Sequence, residues 1–226
     1  MIVTAVICPH PPLLFRELSG QQDAAVDLRK ACHRAVAALE DADVVVAVGG
    51  ADTAGEWPTV EPFDVTRFGI PGPRRFPRSD LPLSLGVAGR LLDNVGWGGP
   101  RELVSVGWDA SATDLAATAD RLASRSERIG LLVMAEGSAR RGESAPGYVD
   151  VRAPAFDAEL GRALAEPDPA ALAGLDLGLA DELMVLGRSS FRVLGRAVAG
   201  ARSTIIYEDD PFGVMYFVAV WDTSDG

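Results

Sequence analysis

The chain contains two histidines, and one of them lies where chemistry is expected. His10 belongs to the stretch Pro9-His10-Pro11-Pro12, directly after the apolar run Ile2–Cys8, which predicts a strand. Proline fixes its own φ and biases the preceding residue toward extended backbone, so a stiff loop should hold this imidazole at a strand end. Ligands of open α/β sheets bind at the carboxyl ends of the strands. His10 is therefore the best candidate for a catalytic or binding residue; the alternative is a histidine that only completes a rigid turn.

Polar side chains also follow two later runs that predict strands. The β-branched run at 44–48 is typical of a strand buried on both faces, and residues 49–53 follow it. The apolar run Ile129–Met134 precedes residues 135–139. The polar residues at these ends are Asp52, Glu136 and Ser138. Because parallel strands end at a common edge of the sheet, these residues are expected to share a pocket with His10.

Three segments, spread over nearly the whole chain, carry a further pattern. They are residues 2–14, with Pro-His-Pro-Pro at a strand end; residues 131–140, followed by 145–147 and 156–157; and residues 207–216. In this order they resemble the catalytic (B-type) subunit of the class III extradiol ring-cleavage dioxygenase superfamily. The resemblance implies that His10 corresponds to an iron ligand and that Glu208 is comparable with the family's C-terminal carboxylate ligand.

The sequence departs from that family at two strand ends. The second strand end supplies another histidine ligand in the metal-binding relatives, whereas this chain has Gly49, Gly50 or Ala51 there, and none of these can bind iron. The relatives' acid/base histidine corresponds to Ala139, and their nearby aspartate to Glu136. Since alanine cannot transfer a proton, the site is predicted to be degenerate.

A single imidazole is expected at the site, because His33 falls inside a predicted helix. A non-haem iron centre commonly uses two histidines and one carboxylate. If a metal is bound, His10, Asp52 and Glu208 are the expected ligands, and Fe(II) or Zn(II) the expected ion. Such a site is harder and less selective, so the sequence commits to no cofactor. The full predicted pocket comprises Pro9, His10, Pro11, Gly50, Asp52, Glu136, Ser138 and Glu208.

Apolar periodicity predicts the elements that position these residues. A helix is expected over 23–39, with a polar face that carries Asp27, Arg29, Lys30 and Arg34. Other expected helices cover 83–95, ended by Gly96; 113–126, with Thr113 as N-cap; 155–165; 179–186; and 190–198. Further strands are expected at 103–106, and at 201–207 and 214–221 as a hairpin. Together with the resemblance, this order predicts an α/β fold: three layers, α/β/α, with a central mostly parallel sheet and a C-terminal β-hairpin.

The connection 54–82 is rich in proline and aromatic residues and is too long for an ordinary loop. It is expected to cover a cleft or a partner surface, which makes a homodimer possible, and residues 63–68 inside it are predicted as a strand. Arg74, Arg75 and Arg78 could attract a carboxylate or phosphate, or could form a solvated basic loop. Trp108, which follows a predicted strand, could wall a pocket or fill the core, and the core is favoured.

Composition narrows the class of protein. The 226 residues are 48% hydrophobic, as in ordinary globular proteins, and are expected to form one domain over 1–226. A net charge of −11 argues against nucleic acid and anionic membranes as partners. No run approaches the roughly 20 apolar residues of a membrane span, and no signal peptide is recognised. The two cysteines form no CxxC pair, so a reduced, cytoplasmic protein is expected.

Two functional hypotheses follow. The favoured one is a non-catalytic member of the superfamily that binds a small molecule or a partner protein. The alternative is a metal-dependent (iron or zinc) dioxygenase-like oxidoreductase with a rebuilt site, acting on a small aromatic compound. Loss of the histidines favours the first, whereas retention of Pro-His-Pro-Pro favours the second.

Overall fold

The structure is a computed structural model that describes residues 1–59, 63–69 and 80–223. Its strands are β1 Ile2–Cys8, β2 Val44–Ala51, β3 Gly55–Trp57, β4 Arg101–Gly107, β5 Ile129–Met134, β6 Arg202–Asp209 and β7 Tyr216–Asp222. They form one sheet in the order β3-β4-β2-β5-β1-β7-β6. The four central strands are parallel, while β3 lies antiparallel at one edge and β6 and β7 form an antiparallel hairpin at the other. The predicted α/β fold, with its parallel centre and C-terminal hairpin, is confirmed.

Helices cover both faces of this sheet. They are α1 Val26–Ala37, α2 Leu83–Asn94, α3 Ala112–Ala123, α4 Ala153–Ala165, α5 Pro169–Ala173, α6 Leu177–Glu182 and α7 Arg188–Ala197. Successive residues of a strand point to opposite faces, so Ala5 and Ile7 pack among the apolar side chains of α3 to α7, while Val6 and Cys8 pack against α1 and α2. The result is three layers with a core on each side of the sheet.

The register brings several strand ends together. Cys8 of β1 and Gly49 of β2 both pair with Met134 of β5, and Ala51 of β2 pairs with Gly107 of β4. The segments that follow β1, β2, β4 and β5 therefore all leave from one edge of the sheet.

Several local predictions are wrong. Residues 65–68 form a 3₁₀ turn, because Asp64 Oδ1 accepts hydrogen bonds from the main chain and hydroxyl of Thr66 and so competes with a strand. Ser111, not Thr113, caps α3, since its hydroxyl accepts the Asp114 N–H. The helix predicted over 179–186 ends at Glu182, because Met184 adopts a positive φ of 57°.

One other prediction is confirmed, and another lies outside the described chain. Gly96 follows the end of α2 with φ of 77°, as a helix-terminating glycine should. Within the described residues, no helix has the length and apolar character that a membrane span requires. Arg74, Arg75 and Arg78 lie outside the described residues.

Candidate functional site

A cavity of about 270 Å³ opens at the edge of the sheet where β1, β2 and β4 end. We call it the His10 cavity. Its polar lining includes His10, Asp52, Thr53, Arg67, Asp80 and Ser84, and two indoles, Trp57 and Trp108, line it as well. Sites for drug-sized ligands occupy about 300–1,000 Å³, so this cavity suits a smaller molecule.

His10 is held at the inner end of the cavity by Glu136. Only 3% of its surface is exposed, and its backbone N–H donates to Glu136 Oε2 at 2.8 Å. The same oxygen lies 3.0 Å from the ring Nδ1, within ion-pair distance but outside hydrogen-bond geometry. Because a carboxylate oxygen faces Nδ1, we assign the ring proton to that nitrogen. The lone pair of Nε2 is then the imidazole's acceptor for a ligand.

The carboxylate of Glu136 is itself enclosed. Glu136 is buried. The pKa of the Tyr216 phenol is raised first by burial and then by the negative charge of Glu136. The phenol therefore stays neutral at physiological pH. Glu136 does not line the cavity but supports His10 from behind, so its link to the site is through that histidine.

Trp108 fills the space above the end of β2. A Cβ added at Gly50 would lie 2.7 Å from Trp108 Nε1 and 2.8 Å from the carbonyl oxygen of Leu186. One residue earlier, a Cβ at Gly49 would lie 2.4 Å from Ser84 Oγ, whose hydroxyl donates to the Gly50 carbonyl at 2.9 Å. Both glycines are thus required by close neighbours, and there is no room for a histidine side chain at either position.

The two indoles of the cavity differ in their hydrogen bonds. Trp57 Nε1 donates to Ser105 Oγ at 2.8 Å. Trp108 Nε1 is buried and has no acceptor among the described residues. A buried donor without a partner costs about 1–3 kcal/mol. Trp108 lines the cavity, whereas sequence reasoning favoured the core.

Arg29 is a positioning residue that sequence reasoning missed. It was predicted on the polar face of α1, but it is 8% exposed. Its Nε and Nη2 donate to the carbonyl oxygens of Leu14 and Leu13, both at 2.9 Å, and Nη1 bonds the Asp23 carboxylate at 2.7 and 2.8 Å. The hydrogen bonds that Asp23 accepts, first from Arg29 and then from Ser19, lower the pKa of its carboxyl group. Arg29 thus fastens the loop that follows His10 to α1; its spacing of three from buried Cys32 was the available signal.

Two residues of the predicted pocket lie elsewhere. Ser138 is fully buried and donates its N–H and hydroxyl to Asp157 Oδ1 and Oδ2, at 2.8 and 2.5 Å. It attaches the end of β5 to α4; burial raises the pKa of Asp157 despite these bonds. Glu208 is exposed on β6, two strands from β1, and its Oε1 lies beside Gly161 of α4. Antiparallel pairing of β6 with β7 aims this carboxylate at α4 and not at the cavity.

The remaining members of the predicted pocket are placed around His10 or near it. Gly50 and Asp52 line the cavity, and Asp52 is exposed at its mouth. Pro9 and Pro11 are buried beside His10 but do not contribute to the lining. Ala139 does not line the cavity either; its N–H donates to the Leu183 carbonyl at 3.1 Å.

The ligand set that sequence reasoning offered for Fe(II) or Zn(II) is not assembled. Glu208 lies away from His10, and in the described part of the chain no three His, Cys, Asp or Glu side chains are grouped so as to hold a metal ion. His33 contacts Asn94 at 3.2 Å, so it lies between α1 and α2. Its pKa is lowered first by burial and then by Arg29.

Comparison with known proteins gives a fold and no family. No protein-family model matches the chain, and no curated protein matches its sequence. Among solved structures, it is similar to the uncharacterized protein JW3007 from Escherichia coli K12, with a TM-score of 0.60 and 15% sequence identity. The match covers 97% of this chain and 99% of that one, so the whole α/β/α arrangement is shared.

Proposed function

We propose that the protein binds a small organic molecule in the His10 cavity and is a divergent, non-catalytic relative of the class III extradiol dioxygenases. One observation carries the proposal. His10 and Trp108, at the carboxyl edge of the sheet, both line a cavity that can hold a ligand, and no hydrogen bond within the described chain uses the imidazole Nε2.

The filled end of β2 supports the non-catalytic part of the proposal. The relatives place a ligand histidine here, whereas Trp108 and the Leu186 carbonyl occupy the space that its side chain would need. A metal site would need a donor atom at this strand end, whereas this chain has the aromatic ring of Trp108 there. Ala139 has no proton to transfer, and an acid/base group commonly contributes about 10²–10⁴ in rate.

A metal-dependent enzyme acting on a small aromatic compound remains the second candidate, and the His10–Glu136 contact favours it. Metal-bound histidines commonly place a carboxylate behind the nitrogen that does not bind the metal, and Glu136 lies 3.0 Å from Nδ1 in that way. The described residues do not complete the donor set, because His10 has no second histidine and no grouped carboxylates around it.

Binding of a small molecule in the His10 cavity is tested by observing Trp108 directly. The chain has four tryptophans, so fluorotryptophan labelling gives a small set of ¹⁹F signals, and Trp108→Phe identifies the one from Trp108. We expect small organic fragments that bind to shift the Trp108 signal, to leave that of the fully buried Trp221 unchanged, and to bind more weakly to His10→Ala. Fragments that shift only signals outside the cavity would refute the proposal.

The same samples test the metal. Untagged protein prepared without chelator is titrated with Fe(II) and Zn(II), with His10→Ala as the matched control. Stoichiometric metal that is lost in His10→Ala would favour the enzyme and overturn the non-catalytic proposal. Equal, weak uptake by both proteins supports it.

A further inference from the structure

The described residues that line the His10 cavity carry an excess of negative charge. Asp52 and Asp80 are exposed on it, and neither is paired with a cation in the described part of the chain. The one guanidinium of the described lining belongs to Arg67, which is already engaged: its Nη1 donates to the Leu81 carbonyl at 3.3 Å, and its guanidinium lies over the rings of Phe63 and Phe68, at 5.2 and 5.8 Å. Two carboxylates against one guanidinium give the described lining a net negative charge.

Aromatic surface accompanies this charge. Trp57 and Trp108 line the same cavity. Indole is the best of the side chains at attracting a cation through its π-system, and the attraction strengthens where water is excluded. Indoles, together with carboxylates that have no cationic partner among the described residues, would stabilise a positive ligand by two independent effects.

The buried end of the cavity favours one orientation of a bound cation. With the ring proton assigned to Nδ1, Nε2 of His10 is an acceptor. His10 is buried, with 3% of its surface exposed. A protonated amine can donate to the imidazole Nε2, while the indole ring of Trp108 faces the same cavity. An anion offers nothing to Nε2 and is repelled by both carboxylates.

From these observations we infer that the ligand of the His10 cavity is a small organic cation, an amine protonated at physiological pH. This inference rests on the proposed function and names its ligand class. The net charge of −11 on the whole chain raises the local concentration of such cations further.

Three probes of matched shape test the inference: benzylamine, benzyl alcohol and benzoate, which are positive, neutral and negative. Dissociation constants are measured from the ¹⁹F signal of Trp108. We expect benzylamine to bind about tenfold more tightly than benzoate, which is about 1.4 kcal/mol. Asp52→Asn and Asp80→Asn should each weaken benzylamine about two- to fivefold, since the carboxylates are exposed, and should leave benzyl alcohol unchanged.

Glu166→Gln is the control, because it removes one negative charge from an exposed position at the end of α4, away from the cavity. Equal weakening by Glu166→Gln would assign the preference to the net charge alone and overturn the inference. Benzoate or benzyl alcohol binding as tightly as benzylamine, with a Trp108 shift, would also overturn it and leave the proposed function standing. If no probe shifts Trp108, both proposals fail.

Discussion

Substitution of Gly50 by alanine tests how tightly the end of β2 is closed. The added methyl would lie 2.7 and 2.9 Å from Nε1 and Cδ1 of Trp108 and 2.8 Å from the Leu186 carbonyl oxygen. Ordinary contacts between such atoms are about 3.5–4.0 Å, so three atoms must move by most of an ångström. The carbonyl belongs to the main chain, which yields less than a side chain does.

Overpacking of a closed site costs about 1–3 kcal/mol, and the rigid carbonyl places Gly50→Ala in the upper half of that range. The loss is measured as the free energy of unfolding in urea, followed by circular dichroism so that the loss of a tryptophan does not affect the signal. In a Trp108→Ala background two of the three close contacts disappear. The cost of Gly50→Ala should then fall by about 1 kcal/mol, and the remainder reports the Leu186 carbonyl.

Gly55→Ala is the matched control, since it also adds a methyl to a strand glycine but meets no atom within 4 Å. It should change stability by less than about 1 kcal/mol, in either direction. If Gly50→Ala costs no more than Gly55→Ala, or if Trp108→Ala does not reduce its cost, the space above β2 is open and a histidine could be accommodated there. The end of β2 would then give no support to a non-catalytic site.

Two further predictions concern the supports of the site. Arg29→Met keeps the length of the side chain but removes its buried hydrogen bonds. It should lower the free energy of unfolding by about 3 kcal/mol. The control is Arg34→Met, at an exposed position of the same helix, which should lower the free energy of unfolding by less than about 0.5 kcal/mol. Equal losses would show that Arg29 does not fasten the loop. Burial raises the pKa of Asp157 above its unfolded value of about 3.9, so its ionisation opposes folding as pH rises through and above that value. The stability of the natural protein relative to Asp157→Asn, from urea unfolding across this interval, should therefore fall with rising pH; a flat or rising difference would contradict the raised pKa.

Much of the fold was predictable because the hydrophobic patterns of the elements agree with the turn residues that end them. The β-branched run of β2 is buried at every residue, as its composition indicates, and the turn at Gly96 ends α2 where expected. Prediction failed where a side chain bonds the main chain in place of regular pairing. Asp64 and Ser111 are both of this kind, and such local bonds cannot be ranked against strand or helix propensity from sequence alone.

The site was predictable only as far as the strand ends. The sheet brings Gly50 and Asp52 to the His10 cavity because β2 runs parallel to β1 and ends at the same edge, with β5 between the two strands. Glu208 was offered through a resemblance, and the direction of its side chain depends on the register of β6 with β7, which sequence does not give. Arg29 was misread for a different reason: charge on a helix predicts exposure, and only the nearby carbonyls of Leu13 and Leu14 make its burial favourable.

The energetics of the cavity argue for a ligand and against an inert scaffold. A chain that needed only to fold would gain stability by replacing Trp108 with a residue that has no N–H to bury, since an unpaired buried donor costs about 1–3 kcal/mol. It would gain again by replacing His10 and Glu136 together, because a buried charge needs partners that apolar side chains do not. His10 and Trp108 both line the cavity at the sheet edge where α/β proteins bind their ligands, so these costs support the proposal that the cavity holds a small molecule.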